Sequence, residues 1–140
     1  MTTSQPAHPQ LATSAAIFRD GKVLLVRRAR SPGKGLYSLP GGRVEFGESL
    51  AVALAREVME ETGLVIDLVG LSGFRDVLPN AGVGGHYLVM SFAARWVEGE
   101  VQLNDELDDF QWIDPADLGA YKTTEGLAAI LAMAQDLVGG

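Results

Sequence analysis

The most constraining feature of this 140-residue sequence is a change of texture at Glu48. Residues 29–47 carry Gly33, Gly35, Gly41, Gly42 and Gly47 together with Pro32 and Pro40. Residues 48–62 contain neither type and are rich in Leu, Ala, Arg, Glu and Met. Glycine and proline break regular structure, whereas the second set favours helix. A loop must therefore run directly into a helix. Ser49 is placed to cap its start and Gly63 to end it in a left-handed turn.

Strand signals lie on either side of this junction. Residues 11–19 and 22–28 are apolar runs separated by Asp20-Gly21, a two-residue hairpin signal. Residues 64–77 are β-rich but interrupted by Gly70 and Gly73, which predicts a bend or bulge. A glycine-rich connection (79–85), a long apolar strand (86–97) and a short strand (110–113) follow. Asp114-Pro115 opens a helical turn. A second helix is expected over 124–138 with Thr124 as its cap. Residues 1–10 read as a loose tail, and residues 11–140 as one domain. A mixed sheet covered by helices, α/β or α+β, is the expected architecture. Trp96, Trp112 and His86 are expected to be structural.

Eleven Lys and Arg against eighteen Asp and Glu give 11 − 18 = −7, too acidic for a nucleic-acid groove. No cysteine is present, which excludes disulfides, thiolate metal sites and a cysteine nucleophile. No signal-peptide pattern or membrane-length apolar run occurs, so a soluble cytoplasmic protein is expected.

The helix carries the chemistry. Glu57, Glu60 and Glu61 follow i, i+3, i+4 spacing and share one face, where like charges repel. Solvation or a bound cation relieves that repulsion. Oxygen donors without sulfur suit Mg²⁺ or Mn²⁺. Ala51, Leu54, Ala55 and Val58 lie on a neighbouring face, expected to turn toward the core.

Read together, Gly42, Glu48 and Arg56-Glu57-Val58-Met59-Glu60-Glu61-Thr62-Gly63-Leu64 fit the pattern G-x5-E-x7-R-E-U-x-E-E-x-G-U, where U is aliphatic. In this the chain closely resembles the Nudix hydrolase family. The resemblance implies an α/β/α sandwich around a mixed sheet. It also implies Mg²⁺- or Mn²⁺-dependent hydrolysis of a small nucleotide, a nucleoside diphosphate linked to another group. Glu57, Glu60 and Glu61 match the family's metal-binding glutamates, and Glu57 a position that is the general base in some members. Glu48 and Arg56 match a structural pair holding loop to helix. Gly42 matches a position whose carbonyl often completes the metal sphere.

Further candidates have two readings each. Glu106, before the strand bearing Trp112, either reaches the metals, as in many members, or sits on a solvated acidic turn. Glu45 is a possible outer ligand. Arg27, Arg28 and Arg43 either fork onto substrate phosphates or remain solvated. Tyr37 either stacks on a base or packs half-buried. Pro79 lies where members acting on ADP-ribose often carry a proline. The resemblance therefore favours ADP-ribose or a nucleoside diphosphate sugar, with (deoxy)nucleoside triphosphates as the alternative. A silent nucleotide-binding module is the alternative of another class. A homodimer is plausible; a nucleic-acid polymer or membrane partner is not expected.

Overall fold

The computed structural model describes residues 8–31, 33–79 and 85–139. In chain order the elements are β1 (Gln10–Arg19), β2 (Lys22–Arg28), β3 (Tyr37–Ser38), β4 (Gly41–Arg43), α1 (Leu50–Thr62), β5 (Val65–Val77), β6 (Tyr87–Glu98) and β7 (Leu107–Ile113). A 3-10 turn at Pro115–Ala120 and helix α2 (Leu127–Val138) complete them. All strands join one mixed sheet, with the path β3-β2-β1-β6-β5, β4 beside β1 and β7 beside β2.

β1 is buried continuously from Ala12 to Phe18 because helices cover both faces of the sheet. Its side chains alternate between two cores. Ala15 and Ile17, with Leu24 and Val26 of β2, pack on Leu54 and Val58 of α1. Ala16 and Phe18, with Val23 and Leu25, pack on Leu127, Ile130, Leu131 and Ala134 of α2. Trp96 and Trp112 pack, partly buried, against the α1-side core.

β1 and β2 pair only beside their turn, at Phe18↔Val23 and Arg19↔Lys22. Asp20 and Gly21 both take positive φ there, as the tight hairpin requires. Beyond it the strands part: β1 takes β4 on that side and β2 takes β3 and β7. The opening between them is where the glycine-rich segment enters. β5 pairs with β6 through register shifts at Leu68/Gly70 and Leu71/Gly73, the two glycines that predict irregularity.

Several expectations are corrected. Residues 29–47 are not all loop, since β3 and β4 lie within them. The strand before Asp114 begins at Leu107, because residues 107–113 continue the ladder on β2. α2 begins at Leu127 with Gly126 as its cap and no side-chain cap bond, so Thr124 does not cap it. Ala51 and Ala55 are exposed; Ala53 joins Leu54 and Val58 in the buried face. The helix is rotated toward its glutamate side, so Glu61 itself is buried. β1 starts at Gln10, within the expected tail, whose first seven residues lie outside the described set. Of the connection at 79–85, residues 80–84 also lie outside it. Among the described residues no helix is long and apolar enough to cross a membrane.

Candidate active site

α1 is positioned at both ends. The Ser49 hydroxyl accepts from the Val52 N–H at 3.1 Å, and Gly63, at φ 74°, donates its N–H to the Met59 carbonyl at 2.9 Å. Midway, Arg56 ties the helix to the preceding loop. Its Nε and Nη2 fork onto Glu48 at 2.8 and 2.9 Å, and Nη2 also donates to the Arg43 carbonyl at 3.1 Å. Glu48 in turn accepts the Glu45 N–H at 2.9 Å. The Arg56 guanidinium, with that N–H, holds the Glu48 carboxyl down at about 2, while Glu48 pushes the Arg56 pKa up.

The same guanidinium reaches two of the helix glutamates. Its Nη1 donates to Glu57 at 3.0 Å and Glu60 at 3.3 Å. Glu60 is 55% exposed at its side chain. Glu61 is only 6% exposed, and its Oε1 accepts the Gly41 N–H at 3.0 Å. Burial pushes the Glu61 carboxyl up to about 7; the Gly41 bond opposes this, and the negative charges of Glu57 and Glu106 add to it. Burial likewise raises Glu57, against the pull of Arg56.

Gly41 and Gly42 lie against β1, opposite Ser14 and Thr13. A Cβ at Gly42 would run into the Glu57 carboxylate, and one at Gly41 into the Thr13 carbonyl. Only glycine allows so close an approach of backbone, strand and carboxylate.

These groups line one end of a cavity of about 600 Å³ at the parting of β1 and β2. Glu57, Glu61, Glu106, Gly41, Gly42, Arg28 and Arg43 all face it. Glu60 does not line it, and Glu45 is engaged through its backbone with Glu48. Arg27, Tyr37 and Pro79 are not brought to the cavity. Arg27 Nε pairs with Asp108 at 2.6 Å. The Tyr37 hydroxyl donates to Asp109, and its ring meets Tyr121 edge-on with centroids 5.2 Å apart. Pro79 is exposed. β3 directs Tyr37 into this surface network because it pairs with β2 at Arg27↔Tyr37.

The donors suit a hard cation, since all are oxygens and the buried Glu61 carboxylate lies beside the like charge of the partly buried Glu57. Among the described residues no three acidic or histidine side chains are gathered to hold an ion. Glu57 and Glu60 are both occupied by Arg56.

Sequence reasoning missed the rest of the wall. Ser14 and Ser91 share a buried hydroxyl bond of 2.8 Å, and Arg75, Tyr87 and Thr124 face the same space. They come from strands and a turn distant in sequence, brought together by the β1–β6 and β5–β6 pairings and by the bond from Thr124 to Tyr37. No local motif announces them.

A NUDIX domain model matches residues 8–133. An ADP-ribose pyrophosphatase from Methanocaldococcus jannaschii is 36% identical over 107 residues, 76% of this chain. The match spans 63% of that relative's length. The nucleoside triphosphatase NudI of Escherichia coli is 31% identical over 115 residues, covering 75% of this chain and 82% of NudI. The crystal structure of a MutT NUDIX hydrolase from Burkholderia pseudomallei superposes with a TM-score of 0.79 at 30% identity, covering 94% and 98% of the two chains.

Proposed function

Because this chain belongs to the Nudix hydrolase family, we propose that it is a divalent-metal-dependent pyrophosphohydrolase. It cleaves the diphosphate linkage of a nucleoside diphosphate derivative, with ADP-ribose and nucleoside diphosphate sugars as the first candidates. The observation that carries this reading is the buried Glu61 beside Glu57, on a glycine floor too tight for any side chain, at one end of a nucleotide-sized cavity. The ADP-ribose pyrophosphatase among its relatives supports the substrate class.

Glu57, Glu60 and Glu61, with the Gly42 carbonyl, would hold Mg²⁺ or Mn²⁺. Such an ion, when bound, neutralises the diphosphate and lowers the pKa of water. Arg56 and Glu48 keep the glycine floor seated on α1. One of the cavity carboxylates, Glu57, Glu61 or Glu106, accepts the proton of the attacking water. Arg28 and Arg43 flank this end and meet phosphate oxygens.

A second reading, hydrolysis of nucleoside triphosphates to monophosphate and pyrophosphate, is favoured by the likeness to NudI over most of that protein's length. A panel of nucleotides with Mg²⁺ or Mn²⁺, followed by phosphorus NMR in ¹⁸O water, separates the two. Monophosphate pairs from diphosphate-linked substrates support the first; pyrophosphate supports the second. Turnover undiminished by excess chelator would sink the metal-dependent mechanism. No turnover of any nucleotide would leave a silent binding module.

A further inference from the structure

Arg75 stands apart from the groups assigned so far. It lies on β5, half-buried, and faces the cavity from the side opposite the glycine floor. The pairings Arg43↔Ala12, Ala12↔Val89 and Val89↔Arg75 form one row across β4, β1, β6 and β5. Directly paired residues share a sheet face, and Ala12 has the parity of Ala16 and Phe18, which pack toward α2. Three strand spacings separate the two arginines, about 14 Å between backbones. Between them the floor is Ala12 and Val89, and beyond them Val77 and Tyr87 pair in the next row. Leu127 and Ile130 of α2 form the facing wall.

Among the described residues Arg75 forms no ion pair. Its single hydrogen bond runs from Nη1 to the Glu125 carbonyl at 3.3 Å. Burial depresses its pKa, opposed only by the Glu125 charge. A guanidinium offers five N–H donors in a planar fork. The guanidinium lines a cavity end formed by Val77, Tyr87, Leu127 and Ile130, with Thr124 and Glu125 at its edge. A phosphate is a poor occupant, because Glu125 lines this end beside Arg75, Arg28 stands near Glu61, and Arg43 lies three strands away along the row. A planar, uncharged ring with two adjacent acceptors is a good one. A 6-oxopurine presents O6 and N7 in that arrangement, whereas adenine places an N–H donor beside its N7.

We propose that Arg75 is a specificity-determining residue that reads the nucleobase and favours a 6-oxopurine over adenine. The inference rests on the hydrolase reading for the orientation of substrate, diphosphate at the glutamates and base at Arg75. It keeps the diphosphate-linked class but moves the first candidate within it from ADP-ribose to guanosine diphosphate sugars.

The test measures GMP and AMP binding by calorimetry in metal-free buffer, for wild type, Arg75→Ala and Arg75→Lys. Circular dichroism melts of each variant check the fold. The expected result is GMP bound about tenfold more tightly than AMP, with GMP falling to the AMP level in Arg75→Ala. Arg75→Lys, which keeps charge but not the fork, should fail to restore the preference. Equal binding of GMP and AMP by wild type overturns the proposal. So does an equal loss for both nucleotides in Arg75→Ala, which would mark a phosphate contact. Phosphorus NMR of guanosine and adenosine diphosphate sugars with Mg²⁺ runs in parallel. An Arg75-dependent base preference without turnover would sink the diphosphate-sugar hydrolase reading alone. Turnover with no Arg75-dependent base preference would sink this inference alone.

Discussion

At the scale of single residues, Glu61 combines burial, a backbone hydrogen bond and two like-charged neighbours. Its pKa in the folded, metal-free protein is about 7, against an ordinary 4.5. Folding therefore takes up a proton between those values. The stability linked to this group is complete below about pH 4.5 and is lost as pH rises to about 7. Glu61→Gln should thus unfold later than wild type at pH 8 in chelator, by up to about 3 kcal/mol, and match it near pH 4.5. Urea denaturation at the two pH values checks this; an equal gap at both would show that the carboxylate is not the cause. With saturating Mg²⁺ the order should reverse, because only wild type gains the full binding energy of the ion. The same substitution should cut turnover by orders of magnitude. Gly42→Ala displaces the Glu57 carboxylate by steric contact alone. We expect about a hundredfold loss in kcat, since a misplacement near 1 Å has that cost, with a smaller change in melting temperature.

At the scale of elements, Arg56 makes loop and helix one unit by binding Glu48, the Arg43 carbonyl, Glu57 and Glu60 at once. Arg56→Lys retains the charge but not the bidentate geometry. It should lower kcat at least tenfold and lower the melting temperature, with Arg56→Ala worse on both counts; thermal melts and steady-state kinetics would show it. A wild-type melt for Arg56→Ala would show that the loop is held by β1–β4 pairing alone. This unit was legible in the sequence, because caps, glycines and i, i+3, i+4 spacing are local signals. β3 and β4 were not, being two and three residues long and stabilised only by partners far along the chain. Thr124 resembled a cap, yet Thr124 and Glu125 line the cavity, and the Thr124 N–H meets the Tyr37 carbonyl at 3.0 Å. Arg75 carried no local signal, since its meaning comes from Val89 beside it and Arg43 three strands away.

At the scale of the whole molecule, β1 and β2 feed both cores through alternate side chains. The two cores should consequently melt as one. Leu54→Ala on the α1 side and Leu131→Ala on the α2 side each remove a buried side chain, at about 2–5 kcal/mol. Each should shift a single transition, seen alike by tryptophan fluorescence, which reports the α1 side through Trp96 and Trp112, and by far-ultraviolet circular dichroism. Probes that separate would mean two independent cores. The parallel pairing that joins β1 to β6 runs from Gln10↔Tyr87 to Phe18↔Arg95, and the β2–β7 ladder from Val23↔Ile113 to Arg28↔Leu107. A chain emerging from the ribosome thus completes its glutamate helix before β6 and β7, the long partners of β1 and β2, have been made. Loop-closure entropy is spent before those contacts form, so folding is slow and weighted toward the end of synthesis. The nascent first half, with two strongly apolar strands that still lack their long partners β6 and β7, is the stretch that a chaperone would meet.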